Sequence, residues 1–183
     1  MRIVGGELGG RPLRAPRGAA TRPTADRVKE AMFNILGLPP PGARALDLYA
    51  GSGALGLEAL SRGCVEAVFV EQARPALAAL RKNIDSLGVE GRARVVESDA
   101  IRAVERLARE GDRFDWIFVD PPYAAGEMER ALGAVSAVCR HGSTVVAEHD
   151  RRRSPAHAAR KLMLRDQRRY GDTCVSFYGL EAA

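Results

Sequence analysis

The sequence predicts an α/β fold built on one mostly parallel sheet, with an antiparallel hairpin at its end. Short apolar runs alternate with helical patterns along most of the chain, which is the arrangement of βαβ units. A glycine-rich segment follows the first of these runs. The last two runs are separated by only three residues, so they must pair as an antiparallel hairpin. A chain of 183 residues is long enough for one domain with a substantial core.

Composition excludes several classes of protein. Hydrophobic residues make up 46% and charged residues 28% of the chain, as in globular proteins and unlike collagen-like or disordered ones. No apolar run approaches the roughly 18 to 20 residues that a bilayer requires, and no signal-peptide stretch opens the chain. Cys64, Cys139 and Cys174 lie far apart without metal-ligand spacing. We therefore expect a cytoplasmic protein with reduced core thiols and no metal site.

The chain before the first predicted strand divides into three parts. Residues 1–23 are rich in Gly, Pro and Arg, and two short segments within them could pair as a small hairpin. A helix is predicted over 25–36, and the prolines of 37–42 mark a linker. We accordingly expect a basic N-terminal hairpin extension at 1–23 and a second unit at 24–183. The apolar face of the helix comprises Val28, Met32, Ile35 and Leu36.

Seven strands are predicted after the linker. The clearest helices between them cover 73–87 and 100–110. The final hairpin would form an antiparallel edge on an otherwise parallel sheet. The parallel strands are expected at 44–49, 66–70, 93–97, 115–119 and 143–147, and the hairpin strands at 161–169 and 173–180.

A glycine-rich turn follows the first strand. Gly51, Gly53 and Gly56 match the G-x-G-x-x-G pattern between a strand and a helix, where glycine allows a tight turn and close approach of a ligand. Glu71 ends the second strand about 20 residues later, where a carboxylate can accept hydrogen bonds from both ribose hydroxyls. The pattern predicts a nucleotide-type cofactor site; a strand-to-helix turn without a ligand is the alternative.

Further carboxylates favour S-adenosylmethionine over a dinucleotide. Asp47, inside the first strand, would face a cationic aminoacyl-sulfonium ligand and repel a pyrophosphate. Asp99 follows the third strand, where it could accept a hydrogen bond from an adenine amine or simply cap a helix. Asp47, Glu71, Asp99 and Asp120 are spaced by 24, 28 and 21 residues, one βα unit each, so all four should lie at the carboxyl edge of the sheet. The predicted cofactor-binding residues are Asp47, Tyr49, Ala50, Gly51, Ser52, Gly53, Glu71, Gln72, Asp99 and Ala100.

The fourth strand ends in Asp120-Pro121-Pro122-Tyr123, the predicted catalytic residues. Consecutive prolines offer carbonyl acceptors without competing N–H donors. Asp120 and the Pro121 carbonyl could accept hydrogen bonds from both hydrogens of an exocyclic amine, which helps its nitrogen become pyramidal and attack a methyl electrophile. Tyr123 could stack on the base and hold it in line. A proline-rich strand exit without function is the alternative.

Basic charge is concentrated near the two ends. Net charge is +5, but residues 1–25 carry +4 and residues 151–170 carry +7, which leaves −6 for the rest. Of the 28 basic residues 25 are Arg, whose planar fork suits phosphate contacts. The distribution indicates a polyanion-binding surface, with a merely solvated Arg-rich surface as the alternative. The candidate RNA contacts are Arg11, Arg14, Arg22, Arg27, Arg151, Arg152 and Arg153.

These motifs resemble those of known enzymes. The segment 47–56, Glu71, Asp99 and the quartet at 120–123 resemble, in order, the motifs of class I S-adenosylmethionine-dependent methyltransferases. RIVGG at 2–6, RPTADRVKE at 22–30 with Phe33-Asn34, and DLYAGSGALGLEALSRG at 47–63 resemble the bacterial 16S rRNA guanine-N2 methyltransferase family over nearly the whole chain. Tyr49 and Val119 are hydrophobic variants within the motifs.

The resemblance implies a seven-stranded Rossmann-like class I methyltransferase fold at 24–183. It also implies methylation of a guanine N2 amine in 16S rRNA during ribosome biogenesis, with S-adenosylmethionine as cofactor. We expect the protein to act as a monomer on rRNA, whether free or within an assembling small subunit, with the N-terminal hairpin helping to hold the RNA.

Three other functions compete with this interpretation. An NAD-dependent dehydrogenase would need a substrate domain, and only 33 residues follow residue 150. A methyltransferase acting on adenine N6 or another amine, in DNA, RNA or protein, could carry the same quartet. A non-catalytic RNA-binding module would not need both the cofactor and the substrate motifs.

Overall fold

An eight-stranded sheet forms the centre of the protein in the computed structural model, which describes residues 1–16, 23–122 and 126–181. Each parallel strand is followed by a helix or a helical turn that returns the chain to the other edge, as the alternating sequence pattern predicts. In chain order the strands are β1 (Arg44–Asp47), β2 (Glu66–Glu71), β3 (Ala93–Glu97), β4 (Phe114–Val119), β5 (Cys139–Asp150), β6 (Ala158–Ala159), β7 (Leu162–Tyr170) and β8 (Thr173–Leu180).

The order of the strands creates a crevice beside β1. The sheet runs β3-β2-β1-β4-β5-β8-β7-β6, with parallel pairing from β3 to β5 and antiparallel pairing from β5 to β6. After β3 the chain crosses to the far side of β1, so the connections that leave β1 and β4 diverge. Open α/β sheets bind ligands at such a switch point, outside the carboxyl ends of the strands.

All seven predicted strands are present, and the predicted mostly parallel sheet with an antiparallel C-terminal hairpin is confirmed. The one additional strand of the sheet, β6, was not predicted. It has only two residues, which is too short for a periodic pattern in the sequence. β1 ends at Asp47 rather than at residue 49, because the chain turns there into the glycine-rich loop. β5 is longer than predicted, with 12 residues, because its exposed first half lacks an apolar run.

Helices cover both faces of the sheet. Along β2 and β4 the side chains alternate between two clusters, with Phe69 and Phe118 on one face and Val68 and Ile117 on the other. The first three helices pack on the former face and the last two on the latter. They are α1 (Pro23–Leu36), α2 (Ala54–Ser61), α3 (Arg74–Leu87), α4 (Ala100–Arg109) and α5 (Glu127–Val135).

The N-terminal segment forms the predicted hairpin. Arg2 and Pro12 pair in an antiparallel bridge, and the Ile3 amide donates to the Arg11 carbonyl at 2.9 Å. Ile3 and Leu13 are buried in the same core cluster as the first three helices. The hairpin is therefore packed into the body of the protein.

A buried ionic cluster fastens this hairpin to α2. The Glu58 carboxylate is fully buried and accepts hydrogen bonds from the Val4 and Gly5 amides at 2.8 and 2.9 Å. Its charge is paired with Lys29 at 3.3 Å and with Arg62 at 2.9 Å. Burial lowers the pKa of Lys29, although the ion pair with Glu58 opposes this shift. A buried carboxylate needs such partners, so the hairpin and α2 depend on one another.

All three cysteines are free and buried, as predicted. Burial raises the pKa values of Cys64 and Cys139 to about 12. None of the helices in the described part of the chain is long and apolar enough to cross a membrane.

Candidate active site

Two adjoining cavities open at the carboxyl edge of the sheet, beside the switch point. The first has a volume of about 350 Å³ and lies over the ends of β1, β2, β3 and β4. The second has a volume of about 280 Å³ and lies over the end of β5 and the start of α5. Pro122 lines both cavities, with Asp120 on the side of the first and Pro121 on the side of the second. Of the predicted cofactor-binding residues, Tyr49, Glu71, Gln72, Asp99 and Ala100 line the first cavity, whereas Asp47 and residues 50–53 are not among its lining residues.

The glycines of the loop after β1 meet distinct steric requirements. Gly53 caps α2 with a φ of 84°, in the left-handed region that favours glycine. A Cβ on Gly56 would lie 2.3 Å from a ring carbon of Phe69, so only glycine lets α2 approach β2 this closely. The loop is compact because the Gly53 amide donates to the Ala50 carbonyl at 2.7 Å. Ala50 and Ser52 are buried within it.

Asp47 lies beneath this loop. Its Oδ2 accepts a hydrogen bond from the Gly56 amide in the first turn of α2 at 2.9 Å, and the side chain is buried. Burial raises the pKa of Asp47 to about 7, and the nearby Glu71 acts in the same direction, while the hydrogen bond from Gly56 lowers it. The Asp47 side chain thus points into the protein interior. It would affect a cationic ligand indirectly, through its negative charge and through its hydrogen bond to the start of α2.

Glu71, at the end of β2, stabilises the glycine-rich loop through hydrogen bonds. Its Oε2 accepts from the Gly51 amide at 2.8 Å, and its Oε1 accepts from the Gln72 and Ala73 amides, both at 2.8 Å. A carboxylate has about four acceptor positions, so three backbone amides leave about one for a ligand. Glu71 and Gln72 both line the first cavity. If Glu71 accepted hydrogen bonds from two ribose hydroxyls, one of its three hydrogen bonds from backbone amides would have to break.

Asp99 caps α4, the alternative that the sequence left open. Its Oδ1 accepts from the Ile101 and Arg102 amides, both at 3.1 Å. Both bonds use the same oxygen, and Asp99 and Ala100 line the first cavity. The capping role and the predicted contact with an adenine amine are therefore compatible.

The first cavity is strongly acidic. Tyr49 lines it and donates its hydroxyl proton to Glu127 Oε1 at 2.8 Å. Glu127 was not predicted, because it begins a helix that no sequence pattern singled out. Lys and Arg are absent from the described residues that line this cavity. The acids that line it are Glu71, Asp99, Asp120 and Glu127.

The predicted catalytic quartet is only partly described. Asp120 and Pro122 are exposed toward the cavities, and Pro121 is half-buried, while Tyr123 lies outside the described residues. Asp120 is open to solvent in its cleft but has protein on most sides. This desolvation, together with the negative charges of Glu148 and Asp47, raises its pKa. A carboxylate in this state gains from a ligand that donates hydrogen bonds.

The end of β5 contributes residues that belong to none of the sequence motifs. Glu148, His149 and Asp150 line the second cavity with Met128 of α5. His149 is buried, and its Nε2 lies 2.8 Å from the Ser176 hydroxyl. Burial raises the pKa of Glu148.

A buried asparagine links the N-terminal hairpin to the cofactor loop. Asn83 of α3 is fully buried, and its Oδ1 accepts from the Arg14 amide at 2.8 Å. Its Nδ2 donates to the carbonyls of Arg14 at 3.0 Å and of Ser52 at 2.9 Å. Arg14 is exposed, and these hydrogen bonds through Asn83 hold its backbone close to the glycine-rich loop.

The remaining N-terminal candidates for RNA contact are more scattered. The Arg11 guanidinium donates to the Ser86 carbonyl on α3 at 2.5 Å. Arg27 is exposed on α1, and Arg22 lies outside the described residues. Arg11 and Arg27 are not among the residues that line either cavity.

The C-terminal candidates lie beside the second cavity. Residues 151–153 form a short, exposed helical turn directly after β5. Arg153 lines the second cavity, and Arg151 pairs with Asp172 at 3.1 Å. The Arg152 amide donates to Asp150 Oδ1 at 2.7 Å, and Arg152 is exposed. Among the described basic candidates, Arg153 alone lines a cavity that Pro121 and Pro122 also line.

Comparison with known proteins identifies the class and the family. Residues 1–179 match the family model described as "Conserved hypothetical protein 95". The "Putative rRNA methyltransferase YlbH" of Bacillus subtilis is 38% identical over 180 residues, which is 97% of this chain and 98% of that protein. The "Ribosomal RNA small subunit methyltransferase D" of Escherichia coli is 44% identical over 132 residues, 72% of this chain and 65% of its own length.

The fold agrees with these matches. A solved structure described as "Putative methyltransferase yhhF from Escherichia coli" has a TM-score of 0.85 and 32% identity, and the match covers 100% of this chain and 99% of that one. The chain therefore has the Rossmann-like class I methyltransferase fold. It belongs to the family of small-subunit ribosomal RNA methyltransferase D, as its motifs predicted.

The three backbone bonds to Glu71 yield a prediction about cofactor affinity. In Glu71→Gln, one carboxylate oxygen that accepts from backbone amides is replaced by an NH₂ group, which cannot accept a hydrogen bond. The loop therefore loses an acceptor, and the ligand loses the negative charge of the carboxylate. We expect the affinity for S-adenosylmethionine to fall by about 1–3 kcal/mol in calorimetric titrations. Glu97→Gln is the matched control, because Glu97 pairs with Glu71 in the sheet register but is exposed. Equal affinities for both variants would remove Glu71 from the site.

Proposed function

We propose that the protein transfers a methyl group from S-adenosylmethionine to the exocyclic N2 amine of a guanine in 16S rRNA, as a step in ribosome biogenesis. The observation that carries this proposal is the junction of the two cavities. An acidic cavity without Lys or Arg among its described lining residues meets, at Asp120 to Pro122, a second cavity whose lining includes the carboxylates of Glu148 and Asp150. The relatives named as rRNA methyltransferases support the substrate class.

The donor set of the first cavity fits the proposed cofactor. S-adenosylmethionine carries a sulfonium and an ammonium group, and when bound it supplies an electrophilic methyl group. Glu71, Asp99, Asp120 and Glu127 offer negative charge to such a cation and would repel the pyrophosphate of NAD. Glu71 and Gln72 would hold the ribose side, Asp99 and Ala100 the adenine side, and the loop at 49–53 the aminoacyl side.

Asp120 and Pro121 would activate the amine. The lone pair of an exocyclic amine is delocalised into the purine ring, which makes the nitrogen a weak nucleophile. Acceptors at the Asp120 carboxylate and the Pro121 carbonyl would draw on both N–H groups and favour a pyramidal nitrogen. The hydrogen bond to Asp120 would strengthen as positive charge develops on nitrogen, so its main effect falls on the transition state. As the N–CH₃ bond formed, the S–CH₃ bond of the sulfonium would break to leave a neutral thioether, and the methylated nitrogen would lose its extra proton to Asp120 or to solvent. Tyr123 would stack on the target base once that base has left its stacked position in the RNA.

The basic segments would hold the RNA around this edge. We propose that the hairpin extension at 1–23 and the turn at 151–153 contact phosphates, while 24–183 carries out the chemistry. Arg14 near the glycine-rich loop and Arg153 in the second cavity support contacts on two sides of the site. The protein would act as a monomer, in the cytoplasm where ribosomes assemble, on rRNA or on a partly assembled small subunit.

A second candidate function uses the same acceptors. Adenine N6, or another amine in DNA or RNA, also has two hydrogens that Asp120 and Pro121 could accept. Transfer of a radiolabelled methyl group to small-subunit rRNA, to partly assembled subunits and to DNA, followed by nucleoside analysis, separates the candidates. We expect N2-methylguanosine from small-subunit rRNA. Labelled N6-methyladenine, or labelling of DNA alone, would contradict the proposal.

The proposed role of Asp120 predicts a defect in the chemical step. Asp120→Asn keeps the size of the side chain and one acceptor but removes its charge. We expect the single-turnover rate at saturating cofactor to fall by at least about 100-fold, by analogy with the loss of one preorganised stabilising group, with cofactor affinity little changed. Asp85→Asn, at an exposed position on α3, is the control. A rate near that of the wild type would mean that the Pro121 carbonyl and positioning suffice.

The proposed phosphate contacts predict a change in salt dependence. The logarithm of RNA affinity should fall linearly with the logarithm of salt concentration. Arg152→Ala should reduce the magnitude of this slope by about one, because one phosphate contact is lost. Arg109→Ala is the control, since Arg109 is exposed at the end of α4, away from the carboxyl edge. If both variants keep the wild-type slope, Arg152 does not contact phosphate.

A further inference from the structure

We propose that Glu148 selects the target base, by accepting a hydrogen bond from the N1–H group of guanine while Asp120 and the Pro121 carbonyl receive the N2 amine. The inference rests on the proposed function and adds the residue that would make it specific for guanine. The quartet alone does not distinguish guanine from adenine, because both bases present an exocyclic amine with two hydrogens.

Strand register places Glu148 beside Asp120. β4 and β5 are parallel, and Val119 pairs with Ala147 in the last registered position. Asp120, directly after the end of β4, and Glu148 of β5 each follow one member of this pair, and neighbouring strands are about 4.8 Å apart. Side chains at paired positions leave the sheet on the same face. The two carboxylates consequently share one end of the site.

Glu148 faces the space proposed for the base. It lines the second cavity together with Pro121 and Pro122, and it is half-buried. Met128 contributes apolar surface to the same cavity, and Arg153 contributes a cation next to the proposed RNA path. A base that presents its amine to Asp120 and Pro121 would therefore turn the adjoining part of its Watson–Crick edge toward Glu148.

Glu148 and Asp120 also differ from the other acids at this edge in their hydrogen bonding. Asp47, Glu71 and Asp99 each accept from backbone amides. Among the residues that the structure describes, none donates a hydrogen bond to Asp120 or to Glu148. Desolvation by the surrounding protein raises the pKa of both carboxyl groups, and the charge of Glu148 raises that of Asp120 further, while no hydrogen bond from a described donor opposes these shifts. A ligand with several N–H groups would satisfy both.

Guanine carries the matching set of donors. Its Watson–Crick edge has one N1–H and two N2–H hydrogens, and the site offers three acceptors in the Asp120 carboxylate, the Pro121 carbonyl and the Glu148 carboxylate. Adenine has a lone pair at N1, which an ionised Glu148 would repel. Sites built to hydrogen-bond a donor reject analogues that lack it strongly, because a buried polar group is then left unpaired. Selection would thus combine attraction of guanine with repulsion of adenine.

The test compares two bases that share the methylated amine. Once the methylated guanine has been located, the same RNA is prepared with 2-aminopurine at that position. This base keeps the N2 amine but has a lone pair in place of N1–H. Single-turnover methylation of both RNAs is measured with the wild type, with Glu148→Gln and with the control Glu110→Gln, an exposed acid at the opposite edge. The absence of O6 in 2-aminopurine affects all three enzymes equally.

We expect the wild type and Glu110→Gln to prefer guanine by at least about 100-fold. Glu148→Gln should reduce this preference at least tenfold, because its amide can donate to the lone pair at N1. Competition binding of the two RNAs gives the same ratio if Glu148→Gln does not turn over, and calorimetric titration of the cofactor verifies its fold. An unchanged preference in Glu148→Gln overturns the proposal while the proposed function stands. Failure of the wild type to methylate guanine N2 in any RNA overturns both.

Discussion

The concentration of carboxylates at one edge of the sheet is the constraint on which the rest of the site depends. Parallel strands bring Asp47, Glu71 and Asp99 to this edge, where their charges repel one another. Backbone amides at the starts of α2, α3 and α4 offset that repulsion, because each acid accepts from the unsatisfied N–H groups near the start of the helix that follows it. The same bonds hold the glycine-rich loop in shape. The acids are therefore structural before any ligand arrives, and a cationic ligand would relieve the repulsion that remains.

The N-terminal hairpin is connected by hydrogen bonds to α2 and to the glycine-rich loop. Glu58 fastens it to α2, and Asn83 joins the backbone of Arg14 to the carbonyl of Ser52 in the loop. Removal of the hairpin would remove the backbone groups that bind Glu58, Lys29 and Asn83, so we expect a truncation to disturb the cofactor loop as well as any RNA contact. Single changes of exposed arginines separate the two effects. The proposed RNA-binding surface and the cofactor loop thus share one set of packing interactions.

Much of this arrangement could be predicted from the sequence, because it follows from spacing. The 24-residue step from Asp47 to Glu71 and the glycine pattern predict the edge and the loop without knowledge of side-chain positions. Hydrogen bonding could not be predicted in the same way. Nothing in the sequence distinguishes an acid that contacts a ligand from one that binds backbone amides, as Glu71 does. Glu148 and Glu127 were missed because their placement depends on the register of β4 with β5 and on the position of α5. His149 is buried against Ser176 of β8, a contact between strands that are distant in the chain.

Calorimetric titration of the wild-type protein with S-adenosylmethionine and with NAD shows whether the carboxylates at this edge select the ligand by its charge. Both ligands carry an adenosine, but the first presents positive charge to the acidic cavity and the second presents a pyrophosphate. We expect saturable binding of S-adenosylmethionine with one site per chain and no detectable binding of NAD under the same conditions. Binding of NAD with equal or higher affinity would contradict the claim that the carboxylates at this edge choose the ligand.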